Sequence, residues 1–114
     1  MKTIIAGSRD LYPNIQKIVD QSTFKITTLV CGMARGVDLQ GYDWAKKNQI
    51  PILEFPADWN TYGKRAGYLR NEVMARNADA LIAIWDGYSK GTKHMIDLAK
   101  QYKLKIYVYL ANEV

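Results

Sequence analysis

Ala80-Leu81-Ile82-Ala83-Ile84-Trp85-Asp86-Gly87-Tyr88-Ser89-Lys90-Gly91-Thr92 is the stretch from which the fold is read. Its first five residues are apolar without alternation, the mark of a short strand covered on both faces. Asp86 and Gly87 break it. Ser89 and Thr92 are residue types that cap helix N-termini. Beyond them Met95, Leu98, Ala99 and Tyr102 recur at helical spacing, which predicts a helix over residues 91–102. A buried strand, a glycine-bearing loop and an amphipathic helix form half of a βαβ unit.

The same phrase repeats in both directions. Strands are expected at residues 2–6, 27–31, 51–55, 80–84 and 105–110. Between them, Ile15, Ile18, Val19 and Ser22 mark a first helix. Val37, Gly41, Trp44 and Ala45 share one face of a second over 37–47, and a third spans 66–76 after a loop at 56–65. Five strands alternating with four helices imply an α/β fold: a single Rossmann-like, three-layer domain over residues 1–114 with a parallel five-stranded sheet. Right-handed crossovers make the expected strand order 3-2-1-4-5. Ligands of such sheets bind beyond the carboxyl ends of the strands, where the order reverses. Here that directs attention to residues 7–12 and 86–92, flanked by 32–36 and 56–65.

Composition narrows the function classes. The 114 residues suit one domain, and 48% hydrophobic with 24% charged residues is an ordinary globular balance. A net charge of +5 and a pI near 9.3 favour anionic partners without the density of a dedicated nucleic-acid binder. No run of eighteen apolar residues and no signal-peptide pattern occurs, so a cytoplasmic protein without membrane contact is expected. Cys31 is the single cysteine: no internal disulfide can form, and its place at the end of a buried strand reads as inert core. A Gly-x-Gly-x-x-Gly fingerprint and a P-loop are both absent, as is any His, Cys and carboxylate cluster with metal-ligand spacing; neither a cofactor nor a metal is expected.

The residues in the marked loops suit an anion. Gly7, Ser8 and Arg9 follow the first strand, Gly32, Arg35 and Gly36 the second, and Gly87, Ser89, Gly91 and Thr92 the fourth; Arg65 and Arg70 flank the start of the third helix. Glycines let backbone N–H groups approach a ligand, helix N-termini add unpaired donors, hydroxyls donate, and arginine grips phosphate in a bidentate fork. Phosphate is therefore expected between residues 7–9 and 89–92. Trp59 reads either as a stacking face for a base or as a side chain folded back over the third helix, and Asp58 either bonds a ribose hydroxyl or caps the loop. His94 takes an ordinary surface or supporting role, and Trp44 and Tyr102 belong to core stripes.

These loops resemble the SLOG superfamily, the Rossmann-like group that holds the Lonely Guy phosphoribohydrolases and DNA-processing protein A, and within it the YspA core-related (YAcAr) family of small bacterial and phage proteins. The matching pieces are Ala6-Gly7-Ser8-Arg9, Cys31-Gly32-Met33-Ala34-Arg35-Gly36-Val37-Asp38, Phe55-Pro56-Ala57-Asp58-Trp59, Tyr62-Gly63-Lys64-Arg65-Ala66-Gly67, Arg70-Asn71-Glu72-Val73-Met74 and Asp86-Gly87-Tyr88-Ser89-Lys90-Gly91-Thr92-Lys93-His94-Met95. The resemblance implies a nucleotide or nucleotide-derived ligand and a dimer. It places Gly7, Ser8 and Arg9 at a phosphate or ribose contact and Gly32, Arg35, Gly36 and Asp38 along the neighbouring wall, aligns Arg70 with the arginine of the phosphoribohydrolases' Arg-x-x-x-Met element, and likens Ser89, Gly91 and Thr92 to their phosphate loop; Asp58, Trp59, Asn71 and Gly87 are further candidate ligand contacts.

One position departs from the phosphoribohydrolases. Their loop continues Gly-Thr-x-x-Glu, and that glutamate takes part in cleaving the N-glycosidic bond; here the position is Met95, and a thioether neither acts as a base nor stabilises an oxocarbenium ion. Cleavage would need another carboxylate, with Glu72 ahead of Asp58 and Asp86. The expectation is binding, as a sensor or sequestering protein for an ADP-ribose-type compound, without turnover. An N-glycosidic hydrolase using Glu72 and a single-stranded nucleic-acid binder are the alternatives. Replacing Arg9 or Arg70 by alanine is expected to weaken binding and leave the melting temperature nearly unchanged.

Overall fold

The computed structural model describes residues 1–111. Five strands, β1 (Lys2–Gly7), β2 (Thr28–Cys31), β3 (Ile52–Glu54), β4 (Ala80–Trp85) and β5 (Lys105–Leu110), form one parallel sheet in the order β3-β2-β1-β4-β5. The helices are α1 (Ile15–Ser22), α2 (Val37–Lys47), α3 (Trp59–Tyr62), α4 (Ala66–Arg76) and α5 (Lys90–Gln101). This is the α/β, Rossmann-like arrangement and the strand order expected.

Side-chain alternation along the strands divides the core in two. Ile5, Leu29, Cys31, Ile82 and Ile84 meet Ile15, Ile18 and Val19 of α1 and Val37 and Ala45 of α2. From the opposite face Ile4, Ala6, Val30, Leu81 and Ala83 meet Met74 and Ala75 of α4 and Met95, Ile96, Leu98 and Ala99 of α5. Helices therefore cover both faces, which is why β1 and β4 show no polar alternation. Tyr102 packs partly buried against the second cluster and Trp44 against the first.

The expected loop at 56–65 is not a plain loop. It contains α3 and a 3₁₀ turn, Gly63–Arg65, that runs into α4. Asp58 explains the start: its carboxylate accepts from the Thr61 N–H at 3.1 Å, capping a helix too short to show periodicity. No helix is long and apolar enough to cross a membrane among the described residues.

Candidate functional site

The order reversal sets β1 beside β4 with their carboxyl ends level, Gly7 opposite Ile84. The two chains leave in different directions, and a crevice of about 330 Å³ opens between them. Gly7 ends β1 and Ser8, Arg9 and Asp10 follow it, Ala34 comes from the loop before α2 and Asp38 from its first turn, Arg70, Asn71 and Met74 from α4, and Asp86, Ser89, Gly91, Thr92 and Met95 from the β4 loop and α5.

Ser8 ties the two sides together. It is buried, its N–H reaches the Ile84 carbonyl at 3.1 Å, and its Oγ accepts from the Asp86 N–H at 3.2 Å. Gly7 leaves no room for a side chain, because a Cβ there would overlap the Ile84 carbonyl and lie 3.0 Å from Val37. Gly36 adopts φ +82° and passes against the backbone of Arg9, with the place of its missing Cβ 2.6 Å from the Arg9 Cα. These two glycines serve packing between loop and helix. Gly91 is different: beyond its chain neighbours and its own helix backbone, nothing lies within 4 Å of where its Cβ would be.

Polar groups on the α4 side are tightly engaged. Arg70 donates through Nη1 to the carbonyls of Gly32 and Phe55, the latter at 3.5 Å, and through Nε to Asn71 Oδ1 at 3.0 Å. It thereby clamps the ends of β2 and β3 to α4. Asn71 in turn donates to the Gly91 carbonyl at 3.4 Å and faces His94 Nδ1 at 3.2 Å. Burial holds the His94 imidazole below its ordinary range, and because the Asn71 amide nitrogen can only donate, Nδ1 accepts from it in the neutral tautomer protonated on Nε2. Tyr68 meets the His94 ring edge-on, with centroids 4.6 Å apart. His94 thus supports Asn71 from behind.

Carboxylates line the crevice as well. Asp38 is buried, accepts from the Ala34 N–H at 3.3 Å, and is pushed up to about 6 by desolvation, which outweighs the Arg70 guanidinium near it. Asp86 goes the other way: two N–H groups, of Tyr88 and Ser89, each donate to its Oδ1 at 2.8 Å and hold it below its ordinary value. That carboxylate, not the Ser89 hydroxyl, satisfies the loop before α5; the Ser89 and Thr92 hydroxyls meet each other at 3.2 Å. Burial raises the Cys31 thiol to about 11, so the cysteine is an inert core residue as read from sequence.

Arg9 stands apart. It is exposed at the crevice rim and has no carboxylate within salt-bridge distance among the described residues. Arg35 instead pairs with Asp10 at 3.6 Å and lines a side cavity of about 320 Å³ with Gly32, Trp59, Arg9 and Arg70. Trp59 also borders a second side cavity of about 240 Å³ with Lys64, Tyr68 and Gly91. The indole of Trp59 rests against α4 at Gly67, as the folded-back reading has it, and half of the residue is exposed.

Of the residues singled out from sequence, the structure gathers Gly7, Ser8, Arg9, Asp38, Arg70, Asn71, Ser89, Gly91 and Thr92 around the crevice, with Gly32, Arg35 and Trp59 in the adjoining side cavity. Four others lie elsewhere. Gly36 sits beneath Arg9, and Gly87, at φ +88°, is an exposed turn near Leu110. Asp58 and Glu72 border a different cavity on the outer side of α4. Glu72 accepts from Arg76 at 2.8 Å and from the Tyr102 hydroxyl at 3.0 Å, and these bonds hold its carboxyl low. Asp10, Ala34, Met74 and Met95 line the crevice without having been read as site residues. In the sequence Met95 stands out only as a helical-stripe residue placed where the phosphoribohydrolases have glutamate, and Met74 only as the end of the matching Arg70–Met74 element. No three His, Cys, Asp or Glu side chains gather as a metal site among the described residues.

Comparison with known proteins gives two matches. The family model described as YspA, cpYpsA-related SLOG family (YAcAr) matches residues 1–62. The Gene 61 protein of Mycobacterium phage D29 is 39% identical over 80 residues, which cover 64% of this chain and 63% of that protein. The matched stretch thus spans less than two thirds of that relative's length. No solved structure matches.

Proposed function

The chain belongs to the YspA, cpYpsA-related SLOG family, and from that premise we propose that its crevice binds a phosphate-bearing nucleotide or nucleotide derivative, with ADP-ribose-type compounds in its range, and releases it unchanged. The observation that carries this reading is Arg9, a guanidinium without an acidic partner among the described residues, on the same crevice as the open first turn of α5 at Gly91. A free fork and unpaired helix N–H groups on one crevice suit an anionic ligand.

The case against turnover rests on where the carboxylates are. Met95 is buried at the crevice floor in the position that the phosphoribohydrolases give to glutamate. Glu72 is held by Arg76 and Tyr102 and borders a different cavity, not the crevice. The hydrolase reading keeps two carboxylates in the crevice wall in its support, Asp38, buried and with a raised pKa, and Asp86.

Calorimetric titration with AMP, ADP and ribose 5-phosphate, paired with chromatography for free base, tests both halves. Saturable binding, weakened in Arg9→Ala, with no base released, is the expected result. Multiple turnovers would overturn the binding-only reading. Their loss in Asp38→Asn would assign the chemistry to the crevice wall, and their loss in Glu72→Gln to α4.

A further inference from the structure

Resting on the nucleotide reading above, we infer that the ligand lies in one direction across the site. Its nucleobase stacks on the open face of Trp59, its phosphates bridge Arg9 to the first turn of α5, and a hydroxyl-rich sugar fills the deep end of the crevice against Asp38 and Asp86. The ligand class is then a nucleoside joined through a diphosphate to a second sugar.

The first observation is continuity. Arg9 and Arg70 line the crevice and both side cavities, and Gly91 and Asn71 are shared between the crevice and the cavity of Trp59, Lys64 and Tyr68. One elongated ligand can therefore pass from the crevice onto Trp59 without crossing a wall. The indole is placed for it. Gly67 lets the ring settle on α4, with Trp59 Cη2 3.4 Å from the place of the missing Cβ, while half of the residue stays exposed among arginine and lysine side chains. An exposed aromatic face bordered by cations is the arrangement that receives nucleobases.

The second observation is charge. Asp38 and Asp86 line the crevice, and the guanidinium nearest to Asp38, Arg70, already donates to the carbonyls of Gly32 and Phe55. A phosphate at the inner end would meet the buried Asp38 and the partly exposed Asp86, with Arg9 at the rim left to offset them among the described residues, a costly juxtaposition in a poorly solvated site. Sugar hydroxyls reverse the sign, since each can donate to a carboxylate oxygen. The cations that remain available, Arg9 and Lys64, lie toward Trp59. The phosphates thus fit at the border between the two ends, where Arg9 and Gly91 are common to both.

The test is a calorimetric titration of the full chain and of Trp59→Ala, Trp59→Phe and Asp38→Asn with ribose 5-phosphate, ADP and ADP-ribose. Trp59→Ala is expected to weaken ADP and ADP-ribose by at least about fivefold, the lower end of one base–aromatic stack. It should leave ribose 5-phosphate unchanged, which also shows that the variant is folded. Trp59→Phe should recover most of the loss. Asp38→Asn should weaken ADP-ribose more than ADP. Unchanged ADP affinity in Trp59→Ala, or an equal loss for ribose 5-phosphate, overturns the inference while leaving the nucleotide reading in place. Failure of all three compounds to bind the unaltered chain overturns both.

Discussion

Gly36, beside the first turn of α2, and Gly91, in the first turn of α5, stand at equivalent points of the two βα units that flank the crevice, and their surroundings are opposite. Gly36 has φ +82° and the backbone of Arg9 pressed against it; Gly91 has open space. Gly7, on the same side as Gly36, is likewise enclosed by Ile84 and Val37. The first side is packed loop against helix until no methyl group fits, and the second leaves its backbone accessible. The family match, residues 1–62, covers the packed side and ends before α4, β4 and α5. Glycine on one side is fixed by packing, and glycine on the other borders open space.

Substitution should separate the two sides most sharply at Gly36. Alanine there takes on a strained left-handed backbone and collides with Arg9, effects that together should cost about 2–4 kcal/mol of folding stability. Against a total of about 5–15 kcal/mol for a domain, urea denaturation would register this as a large shift in midpoint at unchanged slope. A Gly36→Ala chain as stable as the parent would mean that the first side is not packed in this way.

A second difference concerns the acidic residues of the two sides. Asp38, on the packed side, is raised from 3.8 to about 6 by burial, whereas Asp86, on the open side, is lowered by backbone N–H donors. The signs of their pH dependences are opposite. Below about pH 4 Asp38 is protonated both folded and unfolded. Above about pH 6 the folded chain carries the cost of its buried charge, so its contribution to stability falls as pH rises through that window, by no more than about 3 kcal/mol. Asp86 contributes stability that is present above its ordinary pKa and lost as pH falls through its lowered one. Asp38→Asn should remove the first dependence alone, seen as a difference between variant and parent melting curves collected from pH 4 to pH 7. Parallel curves would contradict the burial of an ionisable Asp38.

Arginine supplies a third contrast, and here a sequence-based expectation is corrected. Arg9 and Arg70 were both expected to act on binding alone. Arg70 instead donates to the ends of β2 and β3, so Arg70→Ala should lower stability by about 1–3 kcal/mol, because buried carbonyls lose their donor. Arg9→Ala should leave the melting temperature unchanged and weaken nucleotide binding by about 1.5–3 kcal/mol. Equal melting temperatures for the two variants would return Arg70 to the role first read for it.

The strand order and both helical layers were legible in the chain, because the central strands are short apolar runs and α1 and α5 show clean stripes, as in Ile15, Ile18, Val19 and Ser22, whereas α4 shows almost none. The crevice was legible as a location, because the order reversal determines which loops face each other. What remained hidden was direction. Nothing local distinguishes Glu72, which faces away toward Arg76 and Tyr102, from Asn71 beside it, which faces the crevice. One residue along a helix rotates a side chain by about 100°, and only the packing of α4 on the sheet decides which of the two looks inward. Nor did the sequence separate packing glycines from accessible ones, since that depends on contacts such as Gly36 with Arg9, distant in sequence. The α3 turn escaped because four residues show no period.

The smallest expected effect returns to Gly91. Alanine at this position meets no neighbour, and replacing glycine inside a helix by alanine favours the helix by up to about 1 kcal/mol, less in the first turn where the backbone is only partly committed. Gly91→Ala should therefore stabilise the chain slightly, by a few tenths of a kcal/mol to about 1 kcal/mol, where Gly36→Ala destabilises it several times more strongly. The added methyl points into the space open to a ligand, so nucleotide affinity should fall even as the melting temperature rises. That opposition is the useful reading: a variant more stable and yet weaker in binding shows that Gly91 is kept bare for contact. A gain in stability with unchanged affinity would move the ligand away from the first turn of α5. A loss of stability would mean that the open side is packed like the other.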